Sequence, residues 1–191
     1  MFKELMKKVI DEKYEELNYD KRNKNNIFWK ITEFEANAIG QIGEGFVKEV
    51  FRKFNVKFDD TKKHIHDEYD ILLDDGTKIE IKTARKGKRD IFQFNAINPK
   101  YNFDYIICVA ILEDDLLYRI IGKNKIQYVH KERRWFVDLE ETNEKKKLVS
   151  MNVDSQEIFK LVLNKKQLKD ISDMGNELKS ILEKWPSKSK L

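Results

Sequence analysis

The sequence predicts an α/β fold on three observations. Apolar residues recur at helical spacing near the N-terminus and again over about 34–54. A hairpin pattern of alternating polar and apolar residues occupies 70–82. A continuous apolar run, Tyr105–Leu112, reads as a fully buried strand. With 191 residues and 40% apolar side chains, the chain is long enough to bury a core as one domain, 1–191.

The first helix is expected over 2–18, with Phe2, Leu5, Met6, Val9, Ile10 and Leu17 on one face, followed by an exposed Asn/Lys-rich loop from Asn18 to Asn26. The second, over about 34–54, presents Ile39, Ile42, Phe46, Val50 and Phe54. Three of the seven glycines, Gly40, Gly43 and Gly45, fall inside it. Each costs about 1 kcal/mol against alanine in a helix interior, so their presence implies either a close backbone approach or a helix that starts only near Gly43. Phe92–Ile97 alternates as a short strand, which Asn98-Pro99 breaks. Leu116–Ile121 follows Tyr105–Leu112 across Glu113-Asp114-Asp115 as a hairpin partner. Residues 123–150 read as basic and irregular, anchored by Trp135 and Phe136, and 156–184 as helical in two pieces before Pro186 and a polar tail.

No apolar run approaches the roughly 20 residues of a membrane span. Lys7, Lys8, Asp11 and Glu12 interrupt any N-terminal signal-peptide core. The one cysteine, Cys108, sits in the apolar run as a small buried hydrophobe, and no intrachain disulfide is possible. A cytoplasmic protein without a membrane partner is the expectation. The net charge of +4 is too small to identify a partner by itself, but its distribution is uneven. Lys82, Arg85, Lys86, Lys88 and Arg89 place five positive charges in eight residues, directly after an acidic cluster.

That cluster belongs to the hairpin. Asp74-Asp75-Gly76 is the turn signal between Asp70–Leu73 and Thr77–Thr83. A three-residue loop with Gly76 left-handed pairs Leu73 with Thr77, sets Asp70 opposite Glu80 and brings Lys82 to the same face. A two-residue loop shifts the register by one and turns Asp70 away. In the first register two carboxylates could hold Mg²⁺ with water completing its shell, while Lys82 orients a water or stabilises charge on a phosphate. In the second, Glu80 and Lys82 are an ordinary ion pair on a strand. Glu44 follows Gly43 on the second helix and flanks its apolar face, from which it could reach the hairpin; taken alone it reads more simply as a first-turn acid favoured by the helix dipole.

Taken together, Glu44 on a helix, Asp70 at a strand and Glu80-Ile81-Lys82 on the next strand resemble the PD-(D/E)XK nuclease superfamily. Gly40-Gln41-Ile42-Gly43-Glu44-Gly45-Phe46-Val47 is also similar to the helix of archaeal-type Holliday junction resolvases in that superfamily. The resemblance spans about 36–112; Tyr69 stands where the family often has proline. It implies a mixed central β-sheet flanked by helices, a restriction-endonuclease-like fold, and Mg²⁺-dependent hydrolysis of DNA to 5′-phosphate and 3′-hydroxyl ends. On it, Asp70, Glu80 and Glu44 are metal ligands for one or two Mg²⁺ ions, Glu44 acting directly or through water, and Lys82 positions the nucleophilic water.

For contacts with double-stranded DNA, Arg85, Lys86, Lys88 and Arg89 are the leading phosphate binders. Gln93 and Asn95 are candidates for base edges, and Arg133 and Arg134, with Lys131 beside Trp135, form a second basic patch. His64-x-His66 with Asp67 and Glu68 has no third soft ligand and reads as an exposed loop; Asp74 and Asp75 read as turn formers and Asp104 as a strand-end acid. The favoured expectation is a type II restriction endonuclease, with 113–191 supplying recognition or dimerisation elements. A structure-selective repair or junction-resolving nuclease and a non-catalytic DNA-binding module are the alternatives. Symmetric double-strand cleavage calls for a homodimer or for sequential cuts by a monomer.

Overall fold

The computed structural model describes residues 1–17, 26–59, 68–87, 90–152 and 157–184. Its centre is a five-stranded mixed sheet in the order β1-β2-β4-β5-β11, built from β1 (Ile71–Leu72), β2 (Lys78–Arg85), β4 (Tyr105–Ile111), β5 (Leu116–Gly122) and β11 (Lys169–Asp170). β2 and β4 are parallel, and the other neighbours are antiparallel. Three helices, α1 (Phe2–Glu16), α2 (Ala36–Lys53) and α3 (Met174–Lys184), bury their apolar stripes in one core. That core meets Ile79 and Ile81 of β2, and Ile107, Val109 and Ile111 of β4.

Strand alternation sends the intervening residues to the other face. There Ala84, Ile106, Cys108, Ala110 and Leu117 join a second core, roofed by two further three-stranded sheets. One is ordered β3-β10-β9, from β3 (Ile91–Ile97), β9 (Val149–Ser150) and β10 (Phe159–Asn164); the other is ordered β6-β7-β8, from β6 (Ile126–Val129), β7 (Arg134–Leu139) and β8 (Glu144–Lys147). The α/β class and the hairpin of β4 with β5 thus agree with the sequence, as does the burial of Cys108. Among the described residues no helix is long and apolar enough to cross a membrane.

Two expectations are corrected. Residues 123–150 are not irregular: Ile126, Val137 and Leu139 alternate into the second core, while β8, Glu-Lys-Lys-Lys, is a strand only because it pairs with β7. No apolar period marks such a strand, so tertiary pairing decides it. The first half of 156–184 is β10 rather than helix. Phe159, Leu161 and Leu163 point inward with period two, against Ile97, Phe94 and Phe92 of β3. A capping box ends that strand: Asn164 accepts from the Lys166 N–H and the Gln167 side chain accepts from the Asn164 N–H, both at 3.0 Å. Among the described residues of this segment α-helix is confined to α3, after short 3-10 turns at Lys165–Gln167 and Ile171–Asp173. The expected loop before Asn26 lies outside the described residues, as do His64, His66, Asp67 and Pro186.

Candidate active site

The hairpin adopts the three-residue register. Ile71 faces Ile79, Leu72 faces Lys78, and the Leu73 N–H donates to the Thr77 carbonyl at 2.9 Å. Gly76 has φ +87°, the left-handed conformation that the loop demands. Asp75 accepts from the Thr77 N–H at 2.8 Å and so closes the turn. This register brings Asp70 level with Glu80, where β1 stops and the edge of β2 opens. The Asp70 N–H donates to the Ile79 carbonyl at 2.9 Å, and its carboxylate accepts from the Ile81 N–H at 2.6 Å. Asp70 is exposed as a residue, yet its carboxyl is turned inward and stands in for the missing strand partner.

Glu80 is buried, with its carboxylate against the Lys82 ammonium two residues on. Both project from the sheet face opposite the helices. Burial first, and the Asp70 charge second, push the Glu80 carboxyl up to about 7, against the opposing pull of Lys82. Burial likewise raises the Asp70 carboxyl, while the Ile81 N–H and Lys82 pull it down.

Glu44 approaches from α2 on the helical face. Burial and the Asp70 charge raise its carboxyl, and Lys48 and Lys82 oppose that rise. The preceding glycine brings α2 this close: a Cβ on Gly43 would lie 1.7 Å from Thr83 Oγ1 of β2. Of the two readings of the glycine-rich helix, close approach holds at Gly43, while Gly40 has open space around it. Lys48 was missed from sequence. It lies four residues after Glu44, a helical spacing that pairs the two on one face and that would have disclosed it. Asp104 is the strand-end acid expected: its carboxylate accepts from the Lys78 N–H at 2.8 Å and ties β2 to the start of β4.

The basic run does not behave as one unit. Arg85 Nη1 donates to the carbonyls of Thr32 at 2.9 Å and Phe34 at 3.2 Å, so this side chain ties β2 to the turn before α2 instead of standing free for phosphate. Lys86 pairs with Asp90 at 2.7 Å, both exposed. Lys88 and Arg89 lie outside the described residues. Gln93 and Asn95 are exposed on the outer side of β3, and Arg133 and Arg134 are exposed where β6 turns into β7.

Two carboxylates beside an ammonium, with a third carboxylate at the rim, form a donor set suited to a hard divalent cation. Burial raises all three carboxyls, and the Asp70 charge adds to the rise at Glu44 and Glu80, a repulsion that such an ion would relieve. Among the described residues no group of three or more His, Cys, Asp or Glu side chains is gathered so as to hold a metal ion by itself, so water would have to supply most of the coordination. No protein-family model and no curated protein matches the chain.

Proposed function

We propose that the chain is a Mg²⁺-dependent DNA endonuclease of the PD-(D/E)XK kind, most specifically a type II restriction endonuclease. The observation that carries this reading is the hairpin register, which puts Asp70 beside Glu80 and Lys82 with Glu44 at the open edge of β2. Asp70 and Glu80 would hold the metal, and Glu44 would reach it directly or through water. When bound, Mg²⁺ supplies an acidified water and neutralises charge developing on the phosphate. Lys82, fixed against Glu80, aims its ammonium at the same place and orients the attacking water. Lys48 adds a second cation beside Glu44 and Asp70 and balances the acidic cluster.

The test is incubation of purified protein with unmethylated phage DNA, with Mg²⁺ or with EDTA, beside a Glu80→Ala control. Discrete fragments that need Mg²⁺ and disappear in the variant are expected. A smear excludes site specificity, and intact linear and branched DNA overturns the nuclease reading.

A further inference from the structure

The core-facing side of the β6–β7 hairpin does not end where the core ends. Ile126 and Val137 are a cross-strand pair buried in the second core. One pair further on the same side, Trp135 packs half-buried against the edge of that core and Tyr128 leaves it, their rings 5.3 Å apart and edge to face. Tyr128 is 40% exposed. The two rings wall a groove of about 660 Å³ whose apolar base includes Leu148 and Phe159, both buried. Its volume falls within the roughly 300–1,000 Å³ of ligand-holding clefts.

Four cations rim the groove: Lys100, Arg133, Arg134 and Lys147. None forms an ion pair among the described residues, whereas lysines elsewhere on the surface, such as Lys7, Lys30 and Lys169, lean on carboxylates. Arg133 sits at φ +51° in the tight turn between the strands, a conformation unfavourable for a side chain of this size. Aromatic faces with unpaired cations around them match the two halves of a nucleotide, a flat base and an anionic phosphate. The groove shares no residue with the carboxylate site.

We propose that this groove holds an unpaired nucleotide of a DNA strand. The base stacks on Tyr128, the more exposed ring, which Trp135 meets edge to face, and the flanking phosphates lie among Arg133, Arg134, Lys100 and Lys147. The groove's volume has room for one base taken out of a duplex or for the end of a single strand. This inference rests on the reading of the chain as a protein that acts on DNA, and it is testable without cleavage.

The test is fluorescence anisotropy in EDTA at low salt, with the full chain and two labelled strands of equal length, an oligothymidylate and an abasic strand carrying the same phosphates. Wild type should bind the oligothymidylate about tenfold more tightly than the abasic strand, the scale of one stacked base. Tyr128→Ala should reduce that preference, and Lys147→Glu should weaken both strands alike. Both side chains are exposed, and unchanged melting temperatures would confirm that the variants fold. Equal affinity of wild type for the two strands overturns the proposal, as does full retention of the preference in Tyr128→Ala. Base-dependent binding without Mg²⁺-dependent cleavage would sink the nuclease reading alone. Cleavage without base preference would sink this one alone.

Discussion

The acidic pocket at the β1–β2 edge and the basic groove beside β7 are both clusters of like charge, yet their physics is opposite. Glu80 is buried and Asp70 turns its carboxyl inward, so their repulsion acts where water screens it poorly. Arg133, Arg134 and Lys147 are exposed, and solvent screens them. A buried cluster in which three carboxylates face the Lys48 and Lys82 ammonium groups keeps a repulsion that opposes folding until a further cation enters it. An exposed one does so only weakly. Changes in the acidic pocket should therefore alter stability along with the proposed cleavage, whereas changes in the groove should alter only the proposed binding.

Asp70→Asn gives the largest expected effect. The amide keeps the shape and can still accept from the Ile81 N–H, but it removes one of the two buried negative charges. Cleavage should fall by at least about 100-fold, as when one electrostatic group is lost from an active site. Metal-free stability at pH 8 should hold or rise, because the repulsion on Glu80 is gone. Chemical denaturation in EDTA alongside a cleavage assay checks both. A variant that loses stability as well as activity would show that Asp70 is a structural edge cap first.

Gly43→Val comes next. Its branched side chain would enter the space of Thr83, whose buried Oγ1 has no hydrogen-bond partner among the described residues. Overpacking on this scale costs about 3 kcal/mol, and trimming Thr83→Ala in the same chain should recover part of it. The double-mutant cycle tests whether this single contact sets the distance from α2 to the sheet. If Glu44 depends on that distance, cleavage should fall in Gly43→Val and return with the second change.

The pH dependence of the metal-free protein follows from Glu80. Its carboxyl is raised from 4.5 to about 7, so between those values the folded protein holds a proton that the unfolded chain has released. Stability must then fall as pH rises through that window and level off above it, on the order of 3 kcal/mol in all. Urea unfolding at pH 5.5 and pH 8 in EDTA should show this loss, and Mg²⁺ should restore stability at pH 8. Lys147→Glu should follow the same profile in parallel, while Asp70→Asn should make it shallower without removing it, because burial is the larger cause of the Glu80 shift. A flat wild-type profile would mean that Lys82 alone balances Glu80.

The two regions also differ in how far the sequence discloses them. Asp70, Glu80 and Lys82 lie within thirteen consecutive residues, and one turn length fixes their register, so strand periodicity alone brings them together. Glu44 was within reach because glycines inside a helix need a reason, and Thr83 against Gly43 supplies it. The groove draws on Lys100, the β6–β7 hairpin, Lys147 and Phe159, segments joined only by tertiary pairing. Arg133 and Arg134 were noticed for their charge, but Tyr128 as their aromatic companion needs the pairing of β6 with β7 to appear. Arg85 shows the converse: a basic side chain in a basic run, committed by its fold to backbone carbonyls.

Lys86 is the smallest expected effect and the sharpest test of where the proposed DNA-facing surface ends. It lies between the two regions in character, following β2 out of the acidic pocket yet exposed like the groove cations. Its pairing with Asp90 at 2.7 Å raises its pKa through that hydrogen bond, but both partners stand in water, where an ion pair opens readily. Lys86→Ala should leave the melting temperature unchanged. If the ammonium leaves Asp90 for a phosphate, duplex binding in EDTA should weaken and its log–log salt dependence should lose about one unit of slope. Asp90→Ala should then tighten binding, since the competing carboxylate is gone. An unaltered slope in both variants would confine backbone contacts to the groove, to Lys88 and Arg89, and to the rim of the pocket, with Lys86 serving only to brace the turn into β3.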